Sequence, residues 1–147
     1  MLTTSDPVTT ANALRPVLLK LNRRLRKELG PVGITGGQAA LLHIIKARPG
    51  IGVRELAGLE GVSAPAMCGY IDRMEAAGLV RRVRSQEDRR RVGLELTDSG
   101  RSVWKSARSR RTAWLAARLK RLSDEEIATI EAALPALGRL LEEPGPQ

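Results

Sequence analysis

Three arginines in succession, Arg89, Arg90 and Arg91, close the polar stretch Ser85–Arg91 (SQEDRRR), with Asp88 directly before them. A segment this polar stays in solvent, and each guanidinium is a planar, permanently charged fork that matches phosphate oxygens. Arg82 and Arg84 lie just upstream, and Arg73 precedes them on a stretch that also holds Ser63, Ala66, Gly69 and Tyr70. Side chains of this kind hold a polyanion without making or breaking covalent bonds. Nothing competes with them as a catalytic centre: the chain has no P-loop, no G-x-S-x-G, no H-E-x-x-H and no Gly-rich dinucleotide fingerprint. His43 is the only histidine and Cys68 the only cysteine, so no zinc spacing exists and no cofactor is implied. Cys68 has no second cysteine or adjacent base to activate it and reads as a small filler residue.

Positioning these groups takes a helix and a hairpin. Met67, Ile71 and Met74 recur at helical spacing, which gives the segment from 64 to about 77 one apolar side. Ala66, Gly69, Tyr70 and Arg73 fall on the other side. Ser63 is suited to cap the helix, Pro65 fits its first turn, and Gly78 stands where it should stop. Beyond it, Leu79 and Val83 are expected inward with Arg82 and Arg84 outward, while Val92, Leu94 and Leu96 alternate with Gly93 and Glu95. Two antiparallel strands joined by a basic tip, next to a short helix, make a winged helix-turn-helix. In such a module one helix enters the DNA major groove, and a basic finger reaches phosphates or the adjacent minor groove.

The run Ala76–Arg82 (AAGLVRR), then Asp88-Arg89-Arg90, then Leu96-Thr97-Asp98-Ser99-Gly100, resembles the wing signature of the MarR family, whose pattern is D-x-R, a strand and L-T-x-x-G. The resemblance implies a mainly α fold with a small β-wing: a winged helix-turn-helix over 35–100 (recognition helix about 64–77, wing about 79–97) and a helical dimerisation region from 10–30 and 101–142. It implies double-stranded DNA and a second copy of the chain as partners, and a regulator, most simply a repressor at a near-palindromic site. Arg90 matches the family's wing-tip arginine, which reaches the minor groove; Arg89 and Arg91 would then meet phosphates, and Asp88 would hold a neighbouring arginine. Arg73 could take either a phosphate or a guanine edge. Two departures bear on specificity. The family commonly has Thr or Ser where this chain has Ala66 and Cys68, and often Arg where it has Gly69, so base readout should be sparse and should lean on the wing and on DNA shape. Family members often bind small aromatic acids in a cleft that His43 and Trp104 could line.

The remaining segments frame this module. Leu14, Val17, Leu18, Leu21, Leu25 and Leu29 form a helical stripe ending at Gly30-Pro31, in which Pro16 either opens the helix or kinks a longer one beginning near Thr10. Thr35-Gly36-Gly37-Gln38 has the form of a capping box, which predicts a helix to about Ala47 with Leu41, Leu42 and Ile45 inward. Val53–Glu60 reads as a short helix, and Gly61-Val62 as the turn into the recognition helix. Thr97 should cap a long helix reaching about Arg121. Ser123–Glu126 should cap a last one bearing Ile127, Ile130, Leu134, Leu137 and Leu141, bent by Pro135, and the tail from Glu142 should fray. In this reading Leu14, Leu18, Leu21 and the apolar residues of the last helix form the dimer seam.

Charge is segregated by element. The formal net charge is +9; residues 101–121 carry eight Lys or Arg and no acid, whereas 124–143 carry six acids and one Arg. A basic balance alone would also suit a winged helix that binds nucleic acid without sequence preference, or one whose wing contacts protein. No apolar run approaches a membrane span, Met1–Thr10 lacks the features of a signal peptide, and one cysteine fits a reducing compartment. A cytoplasmic protein is expected.

Overall fold

The structure is a computed structural model that describes residues 4–145. In chain order the elements are α1 (Pro7–Lys27), a 3-10 turn (Gly30–Val32), α2 (Gly36–Ala47), α3 (Val53–Glu60), α4 (Ala64–Ala76), β1 (Val80–Arg84), β2 (Val92–Leu96), α5 (Asp98–Leu119) and α6 (Asp124–Arg139). The chain forms two compact units that meet in sequence within α5, one up to Arg111 and one from Thr112 onward. The stretch 10–30 belongs to the first unit. One reason is that Leu29 is buried in the first unit's core; another is that Arg110 of α5 bonds both the backbone oxygen (3.2 Å) and the carboxylate (3.3 Å) of Glu28.

Local chemistry fixes the helices of the first unit. Gln38 N–H donates to Thr35 Oγ1 at 3.1 Å and Thr35 N–H to Gln38 Oε1 at 3.0 Å, so both halves of the capping box form and α2 starts at Gly36. Leu41, Leu42 and Ile45 are buried from α2, Leu56 and Ala57 from α3, and Met67, Ile71 and Met74 from α4. Gly61, at φ +67°, closes α3 in a conformation that other residues rarely adopt.

β1 and β2 pair antiparallel with Val80 opposite Leu96, Arg82 opposite Leu94 and Arg84 opposite Val92. Directly paired residues share a sheet face, so the inner face begins at Val80 and continues through Arg82. The sequence reading had this parity reversed, with Leu79 and Val83 inward. Leu79 is buried because the chain turns there and its N–H bonds the Met74 carbonyl, before the strand begins. Val92, near the tip, is exposed instead of joining Leu94 and Leu96 inside. Gly50 N–H donates to Leu94 O and Leu94 N–H to Ile51 O, both at 2.8 Å, so the α2–α3 connection adds a bridge on the free edge of β2. Gly93 lies against it: a Cβ there would meet the Gly50 backbone, 2.7 Å from its Cα.

The base of the hairpin is tied to α5. Thr97 accepts from Gly100 N–H at 2.9 Å, caps the helix as its spacing implied, and donates its hydroxyl to Gly78 O at 2.5 Å. A Cβ on Gly100 would collide with the Leu79 carbonyl oxygen. α5 itself ends at Leu119, short of Arg121.

α1 begins at Pro7, ahead of Thr10, so Pro16 lies inside a longer helix rather than at its start. Pro7 supplies the preset φ of a first-turn residue. In the second unit the Ser123 capping box forms, with Glu126 N–H to Ser123 Oγ at 3.1 Å and Ser123 N–H to Glu126 Oε1 at 3.0 Å, and Pro135 lies inside α6. α6 ends at Arg139, so Leu141 lies beyond the helix and is 86% exposed. Of the expected tail, Glu142–Gly145 are not helical and the last two residues lie outside the described residues.

Gly93→Ala and Gly100→Ala should each lower stability by about 1–3 kcal/mol, because each Cβ meets backbone that cannot move aside. Gly58→Ala, inside α3 with open space around it, should raise stability by about 0.5–1 kcal/mol. Urea unfolding at one fixed protein concentration checks all three signs.

Candidate nucleic-acid interface

α4 presents its outward face because its opposite face is consumed by the core. Ser63 Oγ accepts from Ala66 N–H at 3.2 Å, setting the helix start, and the helix runs to Ala76. Tyr70 and Arg73 are exposed one turn apart, with the guanidinium carbon 5.3 Å from the centre of the Tyr70 ring. Ala66 and Gly69 are half-buried. A Cβ built on Gly69 would lie 3.9 Å from Arg73 Nη1, so the guanidinium extends back across the position where a side chain is missing. Cys68 is exposed on this helix, not a filler of the core, because the interior positions are taken by Met67 and Ile71.

The wing tip is organised by Asp88. Ser85 N–H donates to Arg91 O (2.8 Å), Arg91 N–H to Asp88 O (2.9 Å) and Asp88 N–H to Ser85 Oγ (3.3 Å). The Asp88 carboxylate accepts from Arg90 N–H at 3.1 Å and lies 3.5 Å from Arg90 Nε, while the Arg90 side chain stays 95% exposed. Arg84, Arg89 and Arg91 are exposed as well. A groove of about 1120 Å³ between the start of α3 and the hairpin is lined by Arg54, Arg82, Arg84, Arg90 and Arg91, with Glu55 and Glu95. Arg54 was not singled out from the sequence; its only signal is a basic residue in the first turn of a helix.

Arg82 does not face outward as the sequence reading had it. Its Nη2 donates to Asp72 Oδ1 and its Nη1 to Glu75 Oε1, both at 2.8 Å. The hydrogen bond that the guanidinium donates to Asp72 raises its pKa above the ordinary value; partial burial opposes this, and Glu75 adds to it. Parity explains the placement: Arg82 shares the sheet face of Val80, and that face looks onto α4.

His43 and Trp104 have different surroundings. The rings stack with centroids 6.4 Å apart, and Lys46 Nζ (4.2 Å) and the Arg108 guanidinium (5.5 Å) lie over the indole, which packs on the core. His43 also lines a cavity of about 450 Å³ with Asn22, Leu25, Arg26, Leu29, Ala39, Ala40 and Arg111; Trp104 is not part of that lining. Arg26 and Arg111 were not anticipated, since a pocket drawn from three helices leaves no local motif. Among the described residues no cluster of metal-ligating side chains occurs, and no helix is long and apolar enough to cross a membrane.

Known proteins resemble this chain in sequence and in fold. The sequence model of the MarR family matches residues 34–92. The HTH-type transcriptional regulator YfiV of Bacillus subtilis is 30% identical over 105 residues, 71% of this chain and 66% of that protein, just under two thirds of it. The HTH-type transcriptional repressor MdtR of the same organism is 28% identical over 78% of this chain and 74% of its own length. A MarR family protein from Bacillus stearothermophilus superimposes with a TM-score of 0.83 at 28% identity, covering 95% of this chain and all of that one. With residues 34–92 matched to the family's sequence model and nearly its whole length matched in fold, the chain belongs to the MarR family of winged helix-turn-helix transcriptional regulators.

Proposed function

We propose that the protein is a homodimeric, cytoplasmic repressor that binds a near-palindromic promoter site in double-stranded DNA and is released by a small aromatic acid. The observation that carries the DNA-binding part is the pairing of an outward helix face, Ser63, Ala66, Gly69, Tyr70 and Arg73, with a wing whose Arg90 is both held by Asp88 and almost fully exposed. A helix of this size fits the major groove, and an arginine at a hairpin tip fits the minor groove beside it. Arg84, Arg89 and Arg91 supply phosphate contacts around them. The relative MdtR is called a repressor, which favours repression here.

The dimer is supported by the greasy faces of α1 and α6. Neither helix buries a residue within the chain: Leu18 is 46% and Leu134 56% exposed, Leu21 and Ile130 are exposed, and Leu14, Ile127 and Leu137 are half-buried. Stripes of this kind are covered by association. A two-fold pair of recognition helices would read half-sites about 34–36 Å apart. The cavity beside His43 is of a size that takes small ligands, with apolar walls from Leu25, Leu29, Ala39 and Ala40 and positive charge from Arg26 and Arg111.

One observation favours a second reading, non-specific binding by a basic winged helix: Ala66 and Gly69 bring no side-chain hydrogen bonds to the groove. Selection of fragments from the source genome separates the two. Specific binding should enrich an inverted repeat preferred over random duplex by at least ~10³-fold at physiological salt. Arg90→Ala should then weaken the selected duplex about tenfold to a hundredfold, most where its flanks are A/T-rich, and random duplex less. No enriched motif, with affinity that only collapses as salt rises, would reject the repressor reading.

Leu18→Glu combined with Leu134→Glu should convert a dimer into a monomer in sedimentation and weaken binding to the full palindrome by about 10²-fold or more, leaving a single half-site little changed. A wild-type protein that sediments as a monomer at micromolar concentration removes the dimer from the proposal. Benzoate should lower affinity for the selected duplex, and Arg111→Ala should abolish that response. An isothermal titration showing neither heat with benzoate nor any change in DNA affinity rejects the aromatic acid.

A further inference from the structure

Arg82 is expected among the DNA contacts, yet its guanidinium is divided between two positions of α4 one turn apart, Asp72 and Glu75. Those carboxylates are three residues apart and so lie on one face of the helix. One fork bonded to both restrains rotation of α4 about its axis as well as its slide along the hairpin, which a bond to either alone would not do. Apart from Arg82, hydrogen bonds hold the hairpin at its base, Leu79 N–H to Met74 O and Thr97 to Gly78 O beside the seat of Gly100 against Leu79, and on the far edge of β2, where Leu94 bonds Gly50 and Ile51; Val80, Leu94 and Leu96 pack in the core with Met67, Ile71 and Met74. Arg82 stands four residues beyond Gly78, roughly 13 Å further along the strand. At that level the bridge of Leu94 to Gly50 and Ile51 ties the hairpin to the α2–α3 connection, and Arg82 adds the side-chain tie to α4 itself, which suppresses swinging of the tip against the recognition helix. Arg81 and Glu95, paired across the strands at 3.0 Å, stiffen the hairpin itself.

We propose that Arg82 is a positioning residue that sets the distance between what α4 reads in the major groove and what the wing reads in the minor groove. It thereby selects how many base pairs separate the core of a half-site from its flank. The inference rests on the regulator reading above. With reading groups as sparse as those on α4, a fixed helix-to-wing distance becomes a source of specificity in its own right, because two weak contacts in rigid register discriminate where either alone does not.

The test uses the full-length protein and the selected duplex, with the core-to-flank spacing changed by one base pair in either direction. Wild type should prefer one spacing by about tenfold or more. Arg82→Met keeps an unbranched stem opposite Leu94, and Asp72→Asn with Glu75→Gln removes the same charge pairing from the helix side. Both should stay folded, flatten the preference to within about threefold, and keep the wild-type dependence of log affinity on log salt, since no phosphate contact is lost. A salt slope reduced by about 0.9 in Arg82→Met alone would instead make Arg82 a phosphate contact and overturn the proposal. Unchanged spacing preference in the folded variants would overturn it too. A readout without DNA keeps the inference separate from the regulator reading: spin labels on the exposed Cys68 of α4 and on Gln86→Cys at the wing should give a narrow distance distribution that broadens in both clamp variants. Equal widths would reject the clamp whatever the DNA results; absence of any selected motif with broadening present would reject the regulator reading and leave the clamp standing.

Discussion

The place where α4 turns into β1 constrains everything that could meet DNA. Gly78, at φ +76°, reverses the chain; Leu79 follows with its carbonyl pressed against Gly100, so closely that no side chain fits; Thr97 bridges from Gly78 O to the first turn of α5. Two helices and the hairpin between them thus share one joint. The L-T-x-x-G pattern is the sequence trace of that joint: Leu96 is buried against the core, Thr97 caps and bridges, and Gly100 leaves room. Packing at the joint transmits position because interiors are close-packed and do not deform smoothly.

Electrostatics is arranged around that frame rather than spread over it. The carboxylates of Asp72, Glu75, Asp88 and Glu95 each hold an arginine of the wing, which lowers the net charge of the hairpin but fixes where the remaining charge points. Exposed ion pairs of this sort add little to stability. Their effect is orientation: a flexible arginine loses rotamer freedom when it is captured by DNA, and one already held by Asp88 loses less.

Much of the fold was legible in the chain because it is written in local chemistry. The capping boxes at Thr35 and Ser123, the cap at Ser63, and the stripe of Met67, Ile71 and Met74 all depend on neighbours within four residues, and α2, α4 and the start of α6 fall where those signals put them. What was misread depends on partners far away in sequence. The parity of β1 is set by pairing with β2 and by α4, so Arg82 looked free when it is gripped by residues seven and ten positions earlier. Cys68 looked like filler because its size suited a core, but the helix had already assigned its inner face to longer side chains. The end of α6 before Leu141 has no stop signal except the prolines beyond it. The charged groups of the candidate interface are visible from type and spacing; that Arg82 alone of them turns onto α4 is not, and neither is the cavity that Arg26, His43 and Arg111 line together.

Trp104 carries a consequence of a different kind. Its indole is one of two in the chain, half-buried, stacked with His43 and overlaid by two cations. Indole emission responds to the charges and solvent at its ring, and His43 is shared between that ring and the neighbouring cavity. The molecule therefore has a spectroscopic reporter one side chain away from the cavity wall, so that occupancy can be followed by the colour and intensity of its own fluorescence without any added dye.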